Sequence, residues 1–241
     1  MTPTEPAHLA FVCAMPMEVV PLVEKLGLTE REIDGVTVHT GSLDGTEVVA
    51  VVTGMGTELA RAGTERLLDA VPVHRVMVVG ITGALENETP IGTLIWPELV
   101  VHSGTGSEHR PHHLGDMPAF GTMWTTDVLL TASDVLTGLR ARGVVSLDME
   151  TAAIALACEE RGIPWSVFRA ISDRASDGSV NEEVFKMSNQ DGSPNPEAIA
   201  AFFEKYPEKA ELLAEMGANA TLAAETAADA AIRAARALGA R

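Results

Sequence analysis

Short apolar segments alternate with helix-like segments through the first 172 residues of the chain, and this alternation constrains its fold most strongly. Residues 8–13, 75–80 and 165–172 have the composition of buried strands. Strands that alternate with helices predict an α/β fold, here a single three-layer α/β/α domain around a central, mixed, largely parallel sheet. The sheet is expected to be mixed because Asp44-Gly45 splits an apolar stretch in the manner of a hairpin turn.

The remaining elements are predicted from the same spacing of apolar residues and from the glycines and prolines that end helices and strands. Further strands are predicted at 36–54 (a pair), 92–102, 122–130 and 144–148, helices at 17–27, 57–71, 133–142, 149–162 and 195–240, and loops at 103–120 and 181–195. We expect residues 1–180 to form a catalytic core. Residues 181–241, which include an alanine-rich stretch, are expected to be a helical extension packed on the same domain.

Composition and charge exclude several classes of function. Hydrophobic residues make up 46% and charged residues 21% of the 241 residues, which is typical of a globular protein. The net charge of −17 disfavours nucleic acid and anionic membrane surfaces as partners. No apolar run approaches the roughly 20 residues of a membrane helix, and the N-terminus lacks the basic start of a signal peptide. We expect a cytoplasmic protein.

The sequence offers little support for a cofactor or a metal. Cys13 and Cys158 lie in apolar runs and are expected to be buried, reduced thiols. Gly54-Met55-Gly56 lacks the third glycine of a dinucleotide-binding turn, because residue 59 is leucine. His109, His112 and His113 lie in the predicted loop, where solvated side chains are expected rather than metal ligands. We predict neither cofactor nor metal.

Three acidic residues follow buried strands: Glu18, Glu150 and Asp173. In an open parallel sheet, ligands bind beyond the carboxyl ends of the strands, so the three carboxylates are expected to converge at one rim. Singly, each could instead be a charge in the first turn of a helix. Three acids in one pocket fit hydrolysis better than they fit any metal-free redox reaction, because one can donate a proton while another takes the proton from water.

Five segments resemble the purine nucleoside phosphorylase/uridine phosphorylase superfamily in order and spacing, and most closely its 5′-methylthioadenosine/S-adenosylhomocysteine nucleosidases. They are FVCAMPMEVVPLVEKLG, VVAVVTGMG, VVGITGAL, LDMETAAIALAC and FRAISD, and the resemblance covers roughly residues 8–180. It implies a nucleoside phosphorylase-like fold, a purine nucleoside substrate of adenosine type with a modified 5′ group, water as nucleophile and a homodimer.

The resemblance also implies roles for particular residues. Asp173 would be the general acid at N7 of the purine, next to Ser172, and Glu18 would activate the attacking water. Glu150 would bind the ribose hydroxyls and Met149 would pack against the sugar. Residues near the ribosyl centre and the base would be Thr82, Gly83, Leu129 and Leu130.

Departures from the family pattern leave the 5′ group and the choice of purine open. The family's glycine-rich turn reads GITGA here, Leu129 replaces a phenylalanine that stacks on the base, a helical segment is missing near 103–120, and the C-terminal stretch is longer.

Phosphorolysis is an alternative function. It is disfavoured because a phosphate nucleophile needs cations, and no Lys or Arg occurs between Arg75 and Arg110 or from Ala14 to Glu24. A non-catalytic nucleoside-binding or storage protein is a second alternative.

Overall fold

The computed structural model describes residues 7–115, 117–175 and 177–239, and within them eleven strands form one sheet. The strands are β1 (His8–Cys13), β2 (Thr29–Ile33), β3 (Val36–Leu43), β4 (Thr46–Val52), β5 (Val73–Ala84), β6 (Leu94–Ile95), β7 (Leu99–His102), β8 (Glu108–His109), β9 (Thr122–Thr125), β10 (Val144–Asp148) and β11 (Trp165–Arg174). The helices are α1 (Pro16–Leu26), α2 (Thr57–Ala70), α3 (Ser133–Ala141), α4 (Thr151–Glu159), α5 (Glu182–Phe185), α6 (Pro196–Lys205) and α7 (Ala210–Gly239).

Parallel pairing dominates the middle of the sheet. Strand β1 lies between β4 and β5 and runs parallel to both, and β5 is also parallel to β11. A second parallel group contains β7, β9 and β10. Antiparallel pairs extend the two edges through β2–β3–β4 and β7–β8. The predicted mixed α/β sheet is therefore confirmed.

Helices cover both faces of this sheet and complete the three layers. Side chains alternate along a strand, so Phe11 and Cys13 of β1 pack with α1 and α7, whereas Ala10 and Val12 pack with α2 and α4. The alanine-rich half of α7, Ala223–Ala235, belongs to the first of these cores. Small side chains let this helix approach the sheet closely.

None of the helices in the described residues combines the length and apolarity needed to cross a bilayer.

Several element boundaries differ from the sequence prediction. Strand β5 does not end at Gly80 but continues through Gly83 to Ala84, and β11 continues through Asp173 instead of ending before it. Thr82 and Gly83 in the first extension suggest a turn locally, but pairing with β11 keeps the segment extended. Strand β9 stops at Thr125, so the segment 127–130 is irregular.

Two further elements escaped sequence prediction. Strand β2 was missed because its charged residues are mostly exposed, although Asp34-Gly35 makes the same left-handed turn as Asp44-Gly45. Within the predicted loop 181–195, Asn181 caps the short helix α5 by accepting hydrogen bonds from Glu183 N–H and Val184 N–H.

Candidate active site

A cavity of about 620 Å³ opens where β1, β5, β10 and β11 meet. All nine side chains or backbone positions predicted for the site line it: Glu18, Thr82, Gly83, Leu129, Leu130, Met149, Glu150, Ser172 and Asp173. The volume lies within the range of pockets that bind small organic ligands. The structure therefore gathers the predicted residues at one cavity.

Glu18 lies fully buried at the start of α1, where backbone amides hold its carboxylate. Ala14 N–H and Met15 N–H donate to Oε2 at 2.8 and 2.9 Å, and Ile81 N–H donates to Oε1 at 2.8 Å. A Cβ atom on Gly80 would overlap Oε1, so this position of β5 requires glycine for the carboxylate to fit. Three N–H donors fix the orientation of the Glu18 carboxyl group.

Arg169 links the acidic residues, and the sequence prediction missed it. It lies in the middle of β11 and is only 2% exposed. Its Nη2 lies 3.0 Å from Glu150 Oε2 and 3.1 Å from Asp148 Oδ2, and its Nη1 lies 3.7 Å from Glu18 Oε1. Nη1 also donates to Ile81 C=O at 2.6 Å. An arginine inside an otherwise apolar strand needs buried partners, and that was the available signal.

Asp148 and Glu150 flank Met149 at the end of β10. Thr125 Oγ1 donates to Asp148 Oδ1 at 2.6 Å, and Thr151 N–H donates to Asp148 Oδ2 at 2.8 Å at the start of α4. Gly56 N–H donates to Glu150 Oε1 at 3.0 Å. Burial raises the pKa of Glu150 to about 7, although Arg169 opposes the shift. Glu150 can therefore hold or release a proton near neutral pH.

Asp173 lies near the end of β11, opposite Gly83 of β5. Ser172 Oγ donates to Asp173 Oδ1 at 2.6 Å. A Cβ on Gly83 would lie 3.0 Å from Oδ2, so glycine leaves that oxygen unobstructed. Burial raises the pKa of Asp173 above its ordinary value, while the Ser172 hydrogen bond opposes the shift. The direction suits a carboxyl that donates a proton.

Strand direction explains how Glu150 reaches this cavity, and the explanation differs from the one expected. Strand β10 runs antiparallel to the end of β5, with Leu147 opposite Gly83. The carboxyl end of β10 therefore lies beside the extension of β5 instead of at a common parallel edge. Thr82 fixes this junction by donating from Oγ1 to Leu147 C=O at 2.7 Å.

The histidines and cysteines lie elsewhere. His109 is buried, contrary to the expected solvated loop, because Nδ1 lies 2.7 Å from Glu159 Oε2 and Nε2 lies 3.0 Å from Ser107 Oγ. Burial raises the pKa of Cys158 to about 12 and that of Cys13 well above its ordinary value, so both thiols remain protonated. In the described part of the chain, no cluster of three or more His, Cys, Asp or Glu side chains could hold a metal.

The C-terminal segment lines much of the cavity, which sequence reasoning did not predict. Its contribution comes from α5, the following loop, α6 and the first half of α7. Met55 N–H donates to Gln190 C=O at 2.8 Å and ties this loop to the turn before α2. The contact joins residues far apart in sequence, so local spacing carried no signal for it.

The matching family model is the phosphorylase superfamily, which covers residues 8–121 and 115–238. The chain is 29% identical over 208 residues to a 5′-methylthioadenosine/S-adenosylhomocysteine nucleosidase of Geobacillus kaustophilus, covering 73% of this chain and 88% of the relative. It is 30% identical over 210 residues to the enzyme of the same name from Geobacillus thermodenitrificans, covering 73% and 88%.

Solved structures share the fold. A 5′-methylthioadenosine/S-adenosylhomocysteine nucleosidase of Helicobacter pylori, crystallised with a substituted pyrrolidine ligand, superimposes with a TM-score of 0.74 at 17% identity, covering 97% of this chain and 99% of that one. The futalosine hydrolase of Helicobacter pylori superimposes with a TM-score of 0.73 at 17% identity, covering 95% and 97%. The predicted nucleoside phosphorylase-like fold is confirmed.

Proposed function

Since the chain belongs to the phosphorylase superfamily, and its named relatives are nucleosidases, we propose that it hydrolyses the N-glycosidic bond of a purine nucleoside. The substrate we propose is adenosine-like and modified at the 5′ position. The observation that carries the proposal is the set of Glu18, Glu150 and Asp173 around one cavity, with Arg169 buried between the first two.

Asp173 is proposed as the general acid. A purine base leaves readily only when the negative charge that develops on its ring is neutralised by a proton. A carboxyl group beside N7 can supply that proton. The raised pKa of Asp173 supports this role, because burial keeps the proton on the carboxyl at higher pH. Ser172 orients the carboxyl through its hydrogen bond to Oδ1.

Glu18 and Glu150 are proposed to act on the sugar side. As the glycosidic bond breaks, the ribosyl group becomes cationic, and buried carboxylates stabilise it more strongly than water does. Glu18, held by three backbone amides, would accept the proton of the attacking water. Glu150 would accept hydrogen bonds from the ribose hydroxyls, with Met149 against the sugar.

Arg169 is proposed as a positioning residue. Its guanidinium contacts Glu18, Asp148 and Glu150 and so partly neutralises three carboxylates that would otherwise repel one another. Thr82 and Gly83 would lie close to the ribosyl centre. Leu129 and Leu130 would contact the faces of the base through apolar surface.

Charge at the cavity disfavours the phosphorolysis alternative. Among the described residues that line it, Arg169 is the only Lys or Arg, and its contacts already go to three carboxylates. A phosphate ion would therefore approach a net negative surface without a free cation. Water carries no such penalty. The homodimer, the cytoplasmic location and the division at residue 180 stay predictions.

Product analysis tests the proposal. The purified protein is incubated with 5′-methylthioadenosine in phosphate-free buffer and again with added phosphate, and base and sugar are separated by chromatography. We expect adenine and the free 5-methylthioribose in equal amounts, at the same rate in both buffers. Base release that requires phosphate and gives a sugar 1-phosphate would support phosphorolysis instead, and binding without any base release would support the non-catalytic alternative.

A further inference from the structure

The turn that joins β4 to α2 reaches two sides of the cavity through its backbone. Gly56 N–H donates to Glu150 Oε1 at 3.0 Å, and Met55 N–H donates to Gln190 C=O at 2.8 Å. Gly56 has a φ of 90°, a value that glycine adopts far more readily than other residues. It directly precedes α2 and has no side chain that could cap the helix. The orientation of its N–H therefore depends on groups that hold the turn from outside.

Asp127, in a segment far along the chain, holds this turn. Its Oδ1 accepts hydrogen bonds from Thr57 N–H at 2.9 Å and from Thr57 Oγ1 at 2.7 Å. Thr57 is the first residue of α2, where the N–H groups have no acceptor within the helix and the helix dipole favours a carboxylate. The carboxylate also lies beside Gly56, since a Cβ atom added there would be 3.8 Å from Oδ1. Asp127 therefore caps α2 next to the N–H that holds Glu150.

Asp127 also begins the segment that is proposed to contact the base. Val128, Leu129 and Leu130 follow it directly and line the cavity. The segment lies beyond the end of β9 at Thr125, so the pairing of the sheet does not hold it in place. The Asp127 carboxylate instead connects it to the turn before α2. One side chain thus joins the base side of the cavity to the ribose side.

We propose that Asp127 is a positioning residue, which keeps the base-contacting segment 128–130 aligned with the ribose-binding carboxylate of Glu150. The inference rests on the proposed function. Asp127 is exposed and is not among the described residues that line the cavity, so it acts through Gly56 and through the segment that it begins. A displacement of about 1 Å between a substrate and its reacting groups can lower the rate by about a hundredfold. A contact outside the cavity can therefore affect catalysis.

A helix cap without this role would give a different result, because a cap changes stability and not the protonation of Glu150. The Gly56 hydrogen bond lowers the pKa of Glu150, and so does the charge of Arg169. Burial raises that pKa, and so do the charges of Asp148 and Glu18. If the turn moves, the Gly56 hydrogen bond is lost and the pKa of Glu150 rises further above its ordinary value. The acid limb of the kcat/KM profile should then move to higher pH, because the ribose site needs the ionised carboxylate.

The test measures kcat/KM for 5′-methylthioadenosine as a function of pH in the parent protein, Asp127→Ala, Asp127→Asn and Asp134→Ala. Asparagine keeps the oxygen that accepts both hydrogen bonds from Thr57. Asp134 is an exposed carboxylate in the first turn of α3, outside the cavity, and is the matched control. We expect Asp127→Ala to lower kcat/KM about tenfold or more and to shift its acid limb to higher pH. Asp127→Asn should stay within about threefold of the parent, and Asp134→Ala should match it.

Thr57→Val, which removes only the hydroxyl from the contact, should change kcat/KM in the same direction by a smaller factor. The proposal is overturned if Asp127→Ala lowers the melting temperature but keeps the kcat/KM and the pH profile of the parent. It is also overturned if Asp127→Asn loses as much activity as Asp127→Ala, because asparagine restores the acceptor. If Asp127→Ala does not fold, an unchanged kcat/KM in Thr57→Val overturns it.

Calorimetric binding separates this inference from the proposed function. The ligands are adenine and a C-nucleoside analogue of 5′-methylthioadenosine, whose carbon–carbon glycosidic bond cannot be hydrolysed. Only the analogue reaches both the base-contacting segment and Glu150, so Asp127→Ala should weaken its binding at least about fivefold more than that of adenine. If the parent releases no base but this difference is observed, hydrolysis fails and the positioning role stands. If the parent releases base and Asp127→Ala does so with equal efficiency, hydrolysis stands and the positioning role fails.

Discussion

Replacing Arg169 with methionine should destabilise the protein strongly and in a pH-dependent way. Methionine fills a similar volume without charge, so the substitution removes the cation from between Glu18, Asp148 and Glu150 while leaving the strand packed. The lost contacts are those at 3.0, 3.1 and 3.7 Å, together with the 2.6 Å hydrogen bond to Ile81 C=O and the 3.0 Å hydrogen bond from Nε to Thr151 Oγ1. The three buried carboxyl groups keep their backbone and hydroxyl donors but lose the only cation that the described residues place beside them.

The magnitude follows from the cost of leaving buried charges unpaired. Removing one partner of a buried ion pair typically costs about 3–5 kcal/mol, which is a large share of a total stability of roughly 5–15 kcal/mol. At low pH a carboxyl in the cluster can take up a proton and relieve the repulsion. Removing Arg169 raises the pKa of Glu150 above its parent value of about 7, because Arg169 is the cation that opposes the shift. Between the pKa of the variant and that of the parent, each pH unit of acidification reduces the loss by about 1.4 kcal/mol.

Urea unfolding at about pH 8 and about pH 6, followed by circular dichroism, measures both effects. The control is Arg161→Met, because Arg161 is partly exposed and its ion pair with Asp69 lies at the surface. We expect the control to lose under about 1 kcal/mol at both pH values. A loss of unfolding free energy in Arg169→Met that is no greater than in the control would contradict this prediction. So would a loss that is equal at the two pH values.

Three further predictions concern other parts of the molecule. Gly80→Ala should displace the Glu18 carboxylate, because a Cβ there overlaps Oε1, and should lower kcat at least about tenfold in a steady-state assay. The raised pKa of Glu150 means that the folded state binds its proton more tightly than the unfolded chain, so the Glu150 contribution should make unfolding free energy fall by roughly 3 kcal/mol as pH rises from about 4.5 to about 7. Urea titrations should show a flatter profile for Glu150→Gln. Glu225→Ala, on the exposed side of α7, should leave turnover and melting temperature within error of the parent.

The acidic residues could be predicted because each follows or ends a buried strand in a short motif. For Glu18 and Asp173, their positions after or at the end of a strand were enough to predict that they lie near each other, since β1 and β11 both run parallel to β5. Glu150 was expected at the same rim as Glu18 and Asp173 for an incomplete reason, because β10 meets the end of β5 in the antiparallel direction. Strand direction depends on the path of the whole chain, which local patterns do not carry.

Arg169 and the C-terminal lining of the cavity could not be predicted for two different reasons. Arg169 was visible in the apolar run WSVFRAIS, and the cost of burying an unpaired guanidinium already implied acidic partners. The C-terminal lining had no comparable signal. Its placement depends on the hydrogen bond between Met55 and Gln190 and on the close packing of Gly192 on Met15. These contacts join segments more than a hundred residues apart.

The most direct test of the account is the turnover of Asp173→Asn with 5′-methylthioadenosine in phosphate-free buffer. Asparagine preserves the shape and can still interact with Ser172, but it cannot supply the proton. We expect kcat to fall by about 10²–10⁴-fold with KM changed much less, and the melting temperature to stay close to the parent value. The control is Asp34→Asn, an exposed carboxylate in the turn between β2 and β3 and outside the cavity, which should behave like the parent. A folded Asp173→Asn variant that turns over at the parent rate would contradict the central claim.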